Sequence, residues 1–84
     1  MLAPNRTLDD SPAGQPAVIG RVLAPSHAPE WAFRLAEIGF VPGERVMVMA
    51  RGLPGGDPLA VRVGQSTFAL RRAEARCVHL AEPK

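Results

Sequence analysis

Four residues of this 84-residue sequence are candidate ligands for a transition metal: Cys77, His79, His27 and Glu30. Cys77 and His79 are two positions apart in a predicted strand, so their side chains should share one face, which we expect to be the outer one. His27 and Glu30 flank the predicted start of a helix. Each pair supplies two ligands, whereas a structural zinc site uses four. We predict that no cofactor is required and that zinc or iron binds only weakly or adventitiously.

The residue types needed for catalysis are present, but not in spacings typical of an active site. The glycine-rich segment 52–56 (GLPGG) is not followed by Lys-Ser/Thr, which argues against a phosphate-binding loop and a GTPase. Asp9 and Asp10 lie near the N-terminus, and Glu30 and Glu37 lie on the predicted solvent side of a helix. A chain this short also has little room for a deep cleft. The sequence predicts that the protein is not an enzyme.

Composition places the chain among small globular proteins, with 46% hydrophobic and 21% charged residues. Cys77 is the single cysteine, so no internal disulfide can form, and this is typical of a reducing compartment. The longest apolar run, residues 46–50, falls far short of the roughly 20 residues that span a bilayer. The N-terminal residues lack the apolar stretch of a signal peptide. These features predict a soluble cytoplasmic protein.

Hydrophobic patterning predicts five short strands and one helix. The helix, residues 28–38, lies between the first two strands, and Pro29 suits its first helical position, where a missing N–H costs nothing. Because five short strands cannot form two separately packed sheets, we predict a mostly-β fold, a small closed barrel of about five strands. Residues 1–7 should form a flexible tail and residues 8–82 the barrel domain. The predicted strands are residues 17–23, 45–51, 59–63, 65–70 and 76–80.

The predicted helix has one apolar stripe, and one large apolar side chain lies outside that stripe. Trp31, Leu35 and Ile38 recur at helical spacing and should face the core, while Gly39 should end the helix in the left-handed conformation. Phe33 falls roughly opposite the stripe. It is predicted either to contact a partner or to pack beneath the 53–58 loop or the N-terminal segment.

Arginine supplies nearly all of the positive charge, since Lys84 is the only lysine and the net charge is +2. Met47 and Met49, at alternate positions of the second strand, are predicted to fill gaps in the core. Two interpretations of the arginines stay open, a solvated surface and a basic rim that steers an acidic partner. Direct nucleic-acid binding is less favoured, because the excess charge is small and aromatic residues are few. The arginines concerned are Arg45, Arg51, Arg62, Arg71, Arg72 and Arg76.

The ordered motifs resemble those of the FeoA family, the small ferrous iron transport protein A. Residues 34–46 (RLAEIGFVPGERV) are similar to its signature RLxELGhxPGxxV. Residues 57–63 (DPLAVRV) resemble its DPhxhxh strand, and residues 64–75 its GxxhALRxxEA segment. Residues 8–19 fit its opening LxxxxxGxxAxI. The resemblance extends from about Leu8 to Leu80.

This resemblance implies an SH3-like barrel that acts in bacterial ferrous iron uptake. The implied partner is a FeoB-type membrane transporter with a cytoplasmic GTP-binding part, which such a protein would regulate or assemble by direct contact. The protein would then meet the membrane only through its partner. Weak homo-oligomerisation is compatible with this reading. The residues we predict to contact the partner are Phe33, Glu37, Asp57, Arg62 and Arg71.

Two other functions remain open from the sequence alone. A basic barrel could serve as a small adaptor for nucleic acid or peptide, in which case binding to nucleic acid would weaken steeply with salt. A metal-sensing or metal-carrying module would instead use Cys77, His79 and His27.

Overall fold

The computed structural model describes residues 6–81, and it confirms a mostly-β chain with its main helix between the first two strands. Residues 1–5 of the predicted tail, and residue 82, lie outside the described part. A second, four-residue helix lies just before the final strand. The elements in order are a 3₁₀ turn η1 (Leu8–Asp10), β1 (Ala17–Val22), α1 (Glu30–Glu37), β2 (Arg45–Arg51), β3 (Leu59–Val63), β4 (Ser66–Leu70), α2 (Arg72–Ala75) and β5 (Val78–Leu80).

The five strands form one antiparallel sheet in the order β4-β3-β2-β1-β5. Within residues 6–81 the hydrogen-bonded ladder does not join β4 to β5, so the ring of strands is open where α2 connects them. The prediction of a closed ring is wrong in this respect. β1 changes register at Gly20, where an added Cβ would lie 3.2 Å from the backbone nitrogen of Ala81. This close approach explains the glycine in mid-strand.

Alternation along β3 sets the inner face of the sheet. Leu59, Val61 and Val63 are buried, whereas Arg62 between them is exposed. Val61 pairs with Val48 on one side and with Phe68 on the other, so the apolar row continues across three strands. The core lies between this inner face and three other segments, which contribute Leu8 of η1, Leu35 of α1 and Ala75 of α2.

A Schellman motif ends α1 and fixes how the helix meets the core. The Phe40 N–H donates to the Leu35 carbonyl at 2.9 Å, and the Gly39 N–H donates to the Ala36 carbonyl at 3.0 Å. Gly39 has a φ of 112°, a conformation in which a side chain would be strained. Leu35 and Phe40 are consequently both buried.

Two side chains predicted for the core are instead exposed. Ile38 is the C-cap residue of α1 and no longer has helical backbone angles. Its side chain therefore departs from the stripe formed by Trp31 and Leu35 and is exposed. Met49 lies on the outer face of β2, because it alternates with the buried Val46 and Val48, and its side chain is exposed. Met47, two residues earlier on the same face of the strand, is half-buried.

Across residues 6–81 the helices are too short and too polar for any of them to cross a lipid bilayer.

Candidate functional site

Phe33 stands out on the outer face of α1. Its Cα lies two positions from Leu35, roughly 200° around the helix, and its side chain is 75% exposed. The alternative that Phe33 packs beneath a neighbouring segment is therefore wrong for the part of the chain described. Glu37, one turn further on, is exposed on the same side of the helix. These two predicted partner residues do share one surface.

Asp57 and Arg71 come together at a second place, the start of α2. The Arg72 N–H donates to Asp57 Oδ1 at 3.1 Å, which ties the loop before β3 to this helix. Arg71 is the residue before α2, and its N–H donates to Glu74 Oε1 at 2.9 Å. The carboxylates of Asp57 and Glu74 therefore accept backbone hydrogen bonds here, while the Arg71 side chain is exposed.

Arg62 belongs to a third surface, the outer face of the sheet. It lies opposite Met47 on β2 and Thr67 on β4. Together with Arg45 and Pro16 it lines a shallow depression of about 170 Å³. The five residues predicted to bind a partner are thus divided among the α1 face, the start of α2 and the sheet.

A cluster that sequence analysis did not predict joins η1 to β2 and α2. The carboxylate of Asp9 accepts hydrogen bonds from Arg51 Nη1 at 3.3 Å, Arg72 Nε at 3.1 Å and Arg76 Nε at 3.2 Å. The Asp9 side chain is only 6% exposed. We call these four residues the Asp9 junction. Three of the six arginines predicted for a basic rim are therefore paired.

The electrostatics of the junction favour an ionised carboxylate. Burial of Asp9 raises its pKa, but hydrogen bonds from Arg72, Arg51 and Arg76 outweigh burial and hold the pKa below the ordinary value of 3.8. Arg51 also donates from Nη2 to the backbone oxygen of Asp9 at 2.6 Å and to that of Ser11 at 3.1 Å. The junction therefore fixes η1 on the end of β2. Nothing in the sequence around Asp9 indicates that three distant arginines converge on it.

Cys77 does not lie on the outer face, and that prediction is wrong. It precedes β5 rather than lying within it, so strand alternation does not relate it to His79. The side chain is 4% exposed, and its Sγ lies 3.6 Å from the carbonyl oxygen of Ala73. Burial, and then the nearby Glu74 carboxylate, raise the pKa of the thiol. A neutral buried thiol is a poor metal ligand until it loses its proton.

The remaining metal-binding candidates are spread over different elements. The His27 ring meets the Trp31 ring edge-on, with centroids 6.2 Å apart. His79 lies on β5 opposite Arg21 on β1, and its Nδ1 is shielded from solvent. Glu30 is exposed in the first turn of α1. Over the described range, no three His, Cys, Asp or Glu side chains are grouped so that they could hold a metal ion. Metal binding by His27, Glu30, Cys77 and His79 stays a prediction.

Comparison with known proteins identifies the family. The family model described as the FeoA domain matches residues 6–82. The crystal structure of Stenotrophomonas maltophilia FeoA with zinc, described as an SH3 domain protein, is 42% identical with a TM-score of 0.82. The match covers 90% of this chain and 89% of that one. No curated protein sequence matches the chain.

Two further structures extend the comparison. Iron(II) transport protein A of Clostridium thermocellum is 31% identical with a TM-score of 0.74, over 89% of this chain and 44% of that one. A manganese-dependent transcriptional repressor, 22% identical with a TM-score of 0.77, matches 99% of this chain but 44% of its own length, and shares the fold alone. With an SH3-like fold and a family match over the whole of its described length, the chain belongs to the FeoA family of ferrous iron transport proteins.

Proposed function

We propose that this protein is a cytoplasmic accessory factor of ferrous iron uptake. It binds the cytoplasmic GTP-binding part of a FeoB-type membrane transporter and regulates or assembles that transporter by contact. Membership of the FeoA family supports the connection to iron transport. The observation that carries a binding role is the 75% exposed Phe33 on the outer face of α1.

An exposed aromatic ring on a rigid helix is well suited to anchor a protein interface. Such rings bury a large apolar area, and aromatic residues including Phe are enriched in the buried cores of protein interfaces. Glu37 adjoins Phe33 on the same face and would form part of its polar rim. Asp57, Arg62 and Arg71 would act at a distance, by steering the encounter.

The Asp9 junction favours a protein partner over nucleic acid. Arg51, Arg72 and Arg76 all donate to the carboxylate of Asp9, which offsets one of their three positive charges in a chain whose net charge is only +2. Nucleic-acid binding depends on many contacts between cations and phosphate groups, because each one releases counterions. A docking surface centred on a single aromatic residue has no such requirement.

Calorimetric titration of the protein with the purified GTP-binding domain of the transporter tests this proposal. We expect Phe33→Ala to weaken the affinity by about 30-fold, since interface anchors contribute about 2 kcal/mol or more. Met49→Ala, which removes another exposed apolar side chain from the sheet, should leave the affinity unchanged.

The outcomes separate the function from the surface. If the unmodified protein does not bind the domain, the proposed partner is wrong. If the protein binds but Phe33→Ala binds equally well, the partner stands and the α1 face is rejected. In that case a loss of affinity in Arg62→Gln would move the contact to the outer face of the sheet.

A further inference from the structure

A groove separate from the α1 outer face lies where three segments meet. The connection between β1 and α1 contributes Leu23 and His27, the first turn of α1 contributes Trp31, and α2 with the residues after it contributes Ala73, Arg76 and Cys77. The groove holds about 330 Å³ and opens to solvent. Its lining is mostly apolar, with the buried Cys77 among the lining residues. We call it the Trp31 groove.

Arg76 is the one side chain with a full charge among the groove-lining residues. Its Nε donates to Asp9 Oδ2 at 3.2 Å, so the guanidinium is held from one side. Within residues 6–81, its two terminal nitrogens, Nη1 and Nη2, make no hydrogen bond, and the side chain is 60% exposed. A guanidinium held in this way keeps a pair of donors that match the two oxygens of a carboxylate.

The charge around Arg76 is not neutralised by Asp9. One carboxylate faces three guanidinium groups in the Asp9 junction, which leaves two positive charges in excess. Counting Asp57, which accepts from the Arg72 N–H, still leaves an excess of one. Because no acidic residue lines the groove, the missing negative charge is best supplied by a ligand.

We propose that the Trp31 groove binds a segment of a partner protein in which an apolar side chain precedes an acidic residue. The apolar side chain packs against Trp31 and Cys77, and the carboxylate accepts two hydrogen bonds from Arg76. A volume near 330 Å³ is at the lower end of ligand pockets and accommodates one or two side chains. The proposal concerns the chemistry of the segment and does not depend on which protein carries it.

Nuclear magnetic resonance titration of the protein with blocked peptides tests the proposal. The probe is acetyl-Gly-Leu-Glu-Gly-amide, and the matched peptide has Gln in place of Glu. We expect saturable shifts at the Trp31 indole and the Cys77 amide, with the Gln peptide binding about tenfold more weakly, because a hydrogen bond between charged groups is the stronger kind. Replacing Leu by Ala in the peptide should weaken binding about fivefold through lost apolar burial.

Variants of the protein locate the carboxylate. Arg76→Gln should bind both peptides equally, because Asp9 keeps Arg51 and Arg72 and the fold is preserved. Arg62→Gln, on the outer face of the sheet, should retain the tenfold preference. Ala73→Glu, which puts a negative charge into the groove, should abolish binding of the Glu peptide and provides a second test if Arg76→Gln does not fold.

Several results would overturn the proposal. The proposal is contradicted if the unmodified protein binds the two peptides with equal affinity, if the resonances that shift lie outside the groove, or if no saturable shifts are observed. Tighter binding of hexanoate than of the Glu peptide would also overturn it, because the ligand would then be a small carboxylic acid rather than a protein segment. Loss of binding to the transporter domain in Phe33→Ala would leave this result unaffected.

Discussion

Two regions stabilise the fold by different interactions. One is the core beneath β2 and β3, and the other is the Asp9 junction beside α2. The core packs Val48 and Val61, both fully buried, against neighbours on adjacent strands. The junction instead joins Asp9 to arginines that lie 42, 63 and 67 residues further along the chain. One region depends on apolar surface removed from water, and the other on a single ionised carboxylate.

This difference determines how each region responds to its surroundings. Apolar packing has no titrating group, so acid and salt change it little. An ion pair weakens when its carboxylate is protonated or when salt screens it. The two regions should therefore be separable by substitution, by pH and by ionic strength.

The largest effect is expected in the core. Phe40 is fully buried and its ring lies 6.3 Å from that of Phe68. Phe40→Ala should lower the free energy of unfolding by about 3–5 kcal/mol, because it loses apolar burial and leaves a cavity. Urea denaturation at neutral pH measures this change.

Phe33→Ala is the matched control, since it removes the same side chain from an exposed position. Its free energy of unfolding should stay within about 0.5 kcal/mol of the unmodified protein. Similar losses in the two variants would mean that Phe33 also stabilises the fold.

An intermediate effect is expected at the junction. Asp9→Asn should lower the free energy of unfolding at pH 7 by about 1–3 kcal/mol, less than for a wholly buried pair because the arginines reach solvent. Glu37→Gln, at an exposed carboxylate on α1, is the control and should change little.

The pH dependence of Asp9→Asn has a defined sign. The folded state holds the pKa of Asp9 below 3.8, so the unfolded chain takes up the proton first as the pH falls. The contribution is complete well above pH 3.8 and is lost as the pH falls through that value toward the lower folded pKa. The difference between the unmodified protein and the variant should therefore shrink in acid. Urea titrations between neutral and acidic pH that show a constant difference would contradict this role.

The smallest effect is expected where charges are paired at the surface. Arg34 Nη2 lies 2.7 Å from Glu74 Oε2, linking α1 to α2, and Arg34 is largely exposed. Arg34→Gln should cost less than about 1 kcal/mol, measured by thermal unfolding at low salt. The difference should disappear in about 1 M salt, where the screening length is about 3 Å. An equally large loss in Arg62→Gln would show that total charge, rather than this pair, is responsible.

The strands, the helix and its end were predictable because each depends on neighbouring residues. The glycine after the helix and the alternation in β3 are both visible within a few positions. Ile38 was placed wrongly because the helix ends before it, and helical periodicity does not detect where a cap begins. Met49 was placed wrongly because its apolar side chain suggested the core, whereas alternation with the buried Val46 and Val48 puts it on the outer face of β2.

The Asp9 junction and the Trp31 groove could not be predicted in the same way. Asp9, next to Asp10 in an acidic first turn, looks like any helix-start residue. Only the tertiary fold shows that Arg51, Arg72 and Arg76 converge on it. Cys77 was assigned the wrong face for a related reason, because α2 shortens the final strand and leaves this residue in the preceding turn.

The pairing of β1 with β5 has a consequence for the order in which the molecule assembles. Val22 pairs with Val78, and the carbonyl oxygen of Arg6 accepts from the Leu80 N–H. A chain that leaves the ribosome from its N-terminus can form the β3–β4 hairpin early, but β1 has no β5 to pair with until much later in synthesis. Contacts over such long stretches slow folding, because the intervening chain must first be brought together. The nascent protein therefore completes its sheet only after residues 78–80 have emerged.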